Sequence, residues 1–323
     1  MNGNSVVPAP RGNHAADGSS GGCMGYLFCI LALLMGVTKG YCGKKTSGTI
    51  TTFPATMLFN AVRMLICIPI GLLFVLVYTS SLSALAIDGT TLLISAVSGI
   101  ATSVFVVTWI AAVRTGAYMM VDVFLTLGVV VPVIACRVFF AEAVRWNQIL
   151  GILLLAAAAY IMCTYNNAIG KAKMTPASLL LLTICGTANG ITSFSQKWFR
   201  YESTADVSVF NFYTYIFSAA MLFLCWAVVH GKYPSAPGGD RKAIIRKLAV
   251  YVVIMSLCLF LHSLFSTMAA GYLTSSQLYP LMQGGALVLS MLMSALFFGE
   301  KITGRCVLGI AVTFGALLCI NLL

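Results

Sequence analysis

Apolar residues run along this chain in long stretches that short polar interruptions separate. A helix needs about 20 mostly apolar residues to cross the hydrocarbon core of a bilayer. Ten stretches meet that length: 23–42, 54–79, 89–112, 115–140, 146–165, 176–198, 207–230, 247–271, 275–298 and 303–322. Lipid offers the backbone no hydrogen-bonding partner, so only helices or closed barrels can span it. Continuous apolar runs lack the alternation of barrel strands. The pattern predicts an all-α polytopic membrane protein with ten transmembrane helices. Most loops are short, which makes consecutive helices antiparallel neighbours. The longest connection, 231–246, carries Pro234, Pro237, Gly238, Gly239 and Asp240 and reads as turns.

The polar segment 1–22, rich in Gly, Ser, Asn and Pro, is expected to be a disordered tail. The apolar run after it is longer than a signal-peptide core and reads as a retained first helix.

Composition narrows the class further. Hydrophobic residues make up 60% of the chain and charged residues 8%, against roughly a quarter charged in a soluble domain. With only 19 Lys and Arg and 8 Asp and Glu, a water-facing surface cannot be assembled. The net charge of +11 sits mainly in short loops, where it meets lipid headgroups and sets topology. No basic stripe interleaved with aromatics points to nucleic acid. The 11 cysteines lie in or beside apolar runs, with no CxxC pair and no Cys/His metal spacing. They read as packing residues, and neither a metal nor another cofactor is expected. HExxH, a GxSxG-like nucleophile with a His partner, paired acids and a Walker A motif are all absent, so neither an enzyme nor an ATP-driven pump is expected.

An internal repeat organises the chain. Phe139-Phe140-Ala141-Glu142 followed by Leu150-Gly151-Ile152 returns as Phe297-Phe298-Gly299-Glu300 followed by Leu308-Gly309-Ile310, at an offset of 158 residues. Lys39 and Lys197 share that offset, while Phe59-Asn60 and Phe210-Asn211 correspond at 151. The expected division is therefore 23–165 and 176–323, with 166–175 as linker. Five helices per half is an odd number, so the second half would cross in the opposite sense, as inverted repeats.

With those residues in place, the chain resembles the EamA-like repeat of the drug/metabolite transporter superfamily. The carriers of the resemblance are the Phe-Phe-Gly-Glu turn, Lys301-Ile302-Thr303 and Leu308-Gly309, with their counterparts at Phe140-Ala141-Glu142 and Leu150-Gly151. The resemblance implies five plus five inverted helices in the plasma membrane, with a solute path between the halves. It implies export or exchange of a small metabolite such as an amino acid by alternating access. A multidrug or lipid-linked-substrate exporter is the alternative within that class, and an intramembrane enzyme or receptor the alternative outside it.

Ionisable groups at membrane depth are functional candidates by default. Asp122, Arg63 and His262 stand out by position. Asp122 and Arg63 are placed to form a buried pair; otherwise Arg63 is free to hold a substrate carboxylate or phosphate. A carboxylate in apolar surroundings and a histidine can both exchange a proton near neutrality, so protons are the expected coupling ion. Gln283, Tyr279, Asn60, Asn211 and Asn189 form a softer set of path-lining candidates. Gln283 and Tyr279 adjoin Pro280 and the Gly284-Gly285 pair, which loosen the helix. Glu142 and Glu300, with Gly151 and Gly309, are expected to serve the repeat turns structurally, each glutamate accepting backbone N–H groups at the helix it precedes. Loop charges favour both termini outside, whereas the resemblance implies both in the cytoplasm, so orientation stays open.

Overall fold

The computed structural model describes residues 20–50, 52–116, 118–140, 146–168, 175–232, 241–273, 278 and 280–322. These residues form helices and turns without strands. The helices are α1 (Ser20–Ser47), α2 (Phe53–Thr79), α3 (Gly89–Thr115), α4 (Tyr118–Leu127), α5 (Val130–Phe140), α6 (Trp146–Ala168), α7 (Pro176–Glu202), α8 (Val207–Val229), α9 (Arg241–Tyr272), α10 (Gly285–Phe298) and α11 (Gly304–Leu322). Among the described residues, nine segments are long and apolar enough to cross a membrane, with Tyr118–Ala135 counted through a break; Gly304–Ile320 is a shorter apolar helix. Large apolar side chains face outward, Leu296 at 76% and Tyr160 at 72% exposure. Such a surface suits hydrocarbon and would aggregate in water.

Local chemistry sets the helix starts. Thr52, Asp88, Thr175 and Asp206 each accept a backbone N–H of the first turn, of Ala55, Thr90 and Thr91, Ser178 and Ser208 respectively. Pro54 and Pro176 stand at the opening positions of α2 and α7, where a missing N–H does no harm.

Several boundaries depart from the apolar pattern. Helix α1 continues past 42 to Ser47 because the Lys44 ammonium donates to the carbonyls of Val113 and Gly116 at the end of α3. Its charge meets the negative end of the α3 dipole. Helix α7 likewise continues to Glu202, so Arg200 stands on the helix with Lys197 and not in a loop. The span 115–140 is broken into α4 and α5 at Gly128-Val129, and the span 275–298 opens with a π turn over Pro280–Gly284.

Packed helices run both antiparallel and parallel: α1 is antiparallel to α9 but parallel to α10, where Leu33 meets Gly285 and Tyr41 meets Phe297. Helix α1 packs along α9, with Phe28 beside Tyr272 (5.8 Å between rings) and Thr46 beside Met255. Helix α3 packs on α7, α2 on α8, and α6 on α11. Helix α4 touches α6, α7 and α10. Two contacts require glycine. A Cβ on Gly190 would lie 2.1 Å from the Gly128 carbonyl oxygen, and one on Gly186 would lie 2.4 Å from that of Phe124, so the Gly186–Gly190 spacing seats α7 against the α4–α5 break. On the other side, a Cβ on Gly151 would lie 2.4 Å from Ile320, and one on Gly309 2.6 Å from the Met162 sulfur.

Overfilling that second contact is expected to destabilise the protein by about 1–3 kcal/mol. Gly309→Leu should therefore melt below wild type in detergent. Gly315→Ala, where a Cβ meets open space, should not. Equal melting of Gly309→Leu and wild type would disprove the close α6–α11 approach.

Candidate functional site

Helices α1, α3, α4, α7, α8, α9 and α10 enclose a cavity of about 680 Å³. Glycines on α1 make room for the side chains that line it. Gly36 faces the His262 ring, and Gly40 faces the Tyr118 hydroxyl so closely that a Cβ would overlap it. The lining mixes apolar groups, such as Leu33, Phe105, Leu125 and Leu259, with Lys39, Asp122, Gln196, His262, Ser263 and Gln283.

The two ends of the cavity differ. One end is edged by Lys197, Arg200 and Tyr201 from the last turns of α7 and by Ala270, Gly271 and Leu273 from the end of α9. Arg200 and Tyr201 are exposed there, and the Arg200 guanidinium lies against Gly271. At the other end Trp109 and Tyr118 are buried, edge to face with ring centres 6.3 Å apart. Phe298 lies 6.1 Å from Tyr118 and stacks on Tyr41 at 5.8 Å. This aromatic cluster blocks passage toward the end of α1.

Polar contacts hold the blocked end in place. The buried Glu300 carboxylate accepts the Tyr118 N–H at 3.1 Å, and the Tyr165 hydroxyl donates to the Lys301 carbonyl at 3.0 Å. Glu300 thus receives a helix-opening amide as its position suggested. The helix is α4, however, and not the α11 that follows Glu300 in sequence, because the turn folds back across the bundle.

Within the cavity, Asp122 on α4 lies beside the Ser290 hydroxyl of α10 and in the electrostatic field of Lys39 on α1. His262 on α9 has its Nδ1 2.8 Å from the Ala32 carbonyl, so that nitrogen carries the proton and Nε2 is left as an acceptor in the neutral ring. The Ser263 hydroxyl donates to Asn211 Oδ1 at 2.6 Å, while Gln196 Nε2 donates to Ser263 at 3.4 Å.

Of the residues singled out from sequence, Asp122, His262, Gln283 and Asn189 line the cavity. Asn211 reaches it through Ser263. Arg63 and Asn60 do not line it. Arg63 donates to Asn60 Oδ1 at 2.6 Å and lies over the Phe59 ring, while Asn60 donates to the Thr56 carbonyl at 2.9 Å. The expected Asp122–Arg63 pair is therefore not formed, since Asp122 faces Ser290 and Lys39 instead. Gly151 and Gly309 serve helix packing. Tyr279, Glu142 and the tail over 1–19 lie outside the described residues. Lys39 was missed as a cavity residue because the apolar pattern placed it at the end of a helix; the signal available was its 158-residue match to Lys197, which also lines the cavity.

No protein-family profile matches the chain, and no curated protein matches it. Among solved structures it is similar to one described as "Crystal structure of protein", with a TM-score of 0.58 and 17% identity over 94% of this chain and 98% of that one. The likeness at this identity is one of fold.

Glu300→Ala would leave the Tyr118 amide without its acceptor and is expected to lower stability by about 1–2 kcal/mol. Glu300→Gln, which keeps an acceptor oxygen, should lose less. Thermal unfolding of the purified variants measures both, and an unchanged melt for Glu300→Ala would remove this contact from the account.

Proposed function

We propose that the protein is a secondary transporter that moves a small polar metabolite across a membrane by alternating access. The observation that carries this reading is a polar cavity inside an apolar helical bundle, edged by exposed residues at one end and blocked by Trp109, Tyr118 and Phe298 at the other. A solute can enter from one side only. Transport then requires the blocked end to open as the other closes.

Packing supports the idea that two inverted repeats supply this motion. Helix α1 on α9 has its counterpart in α3 on α7, while α2 on α8, α4 on α10 and α6 on α11 each join helices in equivalent places of the two halves. Gly151 meets Ile320 and Gly309 meets Met162. These two contacts become one another under the 158-residue offset, as in an interface with two-fold symmetry. Exchanging the conformations of the halves would move the blocked end from one face of the membrane to the other.

The polar lining favours a metabolite, with amino acids among the candidates, over the purely apolar cargo of a drug or lipid exporter. Asp122 and His262 are the candidates for proton coupling, and the plasma membrane is the proposed location. The solute itself would be found by comparing metabolites in cells with and without the protein, then reconstituting the protein in liposomes. Counterflow of that solute is expected. Ser193→Trp, which fills the cavity, should lower it by roughly tenfold or more. Asp122→Asn should abolish accumulation driven by an imposed pH gradient. If Asp122→Asn and His262→Ala both accumulate solute normally, coupling through these residues is wrong; if no solute moves, the transporter reading fails.

A further inference from the structure

We infer that the transported solute carries an oxyanion, a carboxylate or a phosphate, that docks on Lys39. The inference rests on the transporter reading and adds the chemical class of the cargo. Lys39 lies well inside α1, in the cavity wall, and not at a helix end where its ammonium could reach water along the membrane surface. Among the described residues its ammonium makes no hydrogen bond and no ion pair. Its protein contact is the face of the Phe105 ring, 5.6 Å from the ring centre. An ammonium in apolar surroundings requires an anionic partner or hydrogen-bond acceptors. Asp122 lies across the cavity and acts on Lys39 electrostatically without touching it.

The charges around the site leave a positive excess. Arg63 also acts on Lys39, and that guanidinium is only 1% exposed with its Nε lacking a partner. At the open end Lys197 and Arg200 edge the entrance. Against these four cations stand two carboxylates, Asp122 in the cavity wall and the buried Glu300 bonded to the Tyr118 amide, so positive charge remains in excess. Low-dielectric walls focus such a field, so it draws anions inward and repels cations. At the blocked end Lys39 offers three N–H donors to an incoming oxyanion, with the apolar faces of Phe105 and Trp109 alongside for the organic part of the solute. Asp122 stands opposite, where it can accept from a hydroxyl or amino group of the same solute.

The test is thermal unfolding of the purified full-length protein in detergent with four probes: inorganic phosphate, succinate, glucose and tetraethylammonium, at ionic strength matched with chloride. Phosphate or succinate should raise the melting temperature, and the more effective of the two identifies the oxyanion. Glucose and tetraethylammonium should not. Lys39→Met should weaken the anion effect by roughly tenfold or more, and Lys39→Arg should retain part of it. Without ligand, Lys39→Met is expected to melt at or above wild type, because it removes a charge from an apolar setting.

Stabilisation by tetraethylammonium or glucose alone would overturn the assignment, as would an anion effect unchanged in Lys39→Met. The probe ranking on wild-type protein decides the matter even if the Met variant does not fold. Solute counterflow with no anion binding would leave the transporter reading standing and this inference refuted. Lys39-dependent anion binding without any flux would do the reverse.

Discussion

Hydrocarbon supplies no hydrogen-bonding partner to a peptide group, and the architecture of this protein follows from that constraint. Backbone N–H and C=O groups must be satisfied inside helices, and the helix ends need partners of their own. Thr52, Asp88, Thr175 and Asp206 provide them at helix starts, and Lys44 provides one at the end of α3. Glu300 extends the same role across the bundle by taking the first amide of α4. The break at Gly128-Val129 sits against α7, where protein and not lipid covers the open turn.

Once helices are in lipid, burial of apolar surface no longer drives them together, because lipid tails are as apolar as leucine. Close packing takes over. Gly186 and Gly190 bring α7 against the backbone of the α4–α5 break, and Gly151 and Gly309 do the same for α6 and α11. Other glycines create space instead. Gly36 and Gly40 hold back one wall of α1, and the room they leave is taken by His262 and Tyr118, which border the cavity. One residue type thus builds both the tight seams and the hollow between them.

The hollow is where polar chemistry is tolerated. A charge facing lipid is costly, while a charge facing a cavity can be met by water, by an opposite charge or by a solute. Lys39, Asp122 and His262 occupy that position on three different helices. Arg63 marks the contrast. It is held in the packed wall by Asn60 and the Phe59 ring, and its contribution to the cavity is its field.

How much of this was legible in the sequence follows from the range of each interaction. Helix number, approximate limits and lipid-facing character are set by local apolar length and composition, so the ten runs could be drawn from the chain alone. The turn before Leu308-Gly309, with its earlier counterpart, was visible because the same short words return at a fixed offset. Depth within the membrane identified Asp122 and His262 as residues needing explanation. Their partners were not legible, because partnership depends on which helices pack and at what rotation. Asp122 was equally able to face Arg63 or Lys39 until α1, α4 and α10 came together. Lys39 itself passed for a helix end, since hydropathy cannot tell a lysine that reaches the membrane surface from one that turns into a cavity. Residues within one span determined where the chain enters lipid; only the crossing of helices distant in sequence decided where lipid and close packing stop and the polar cavity begins.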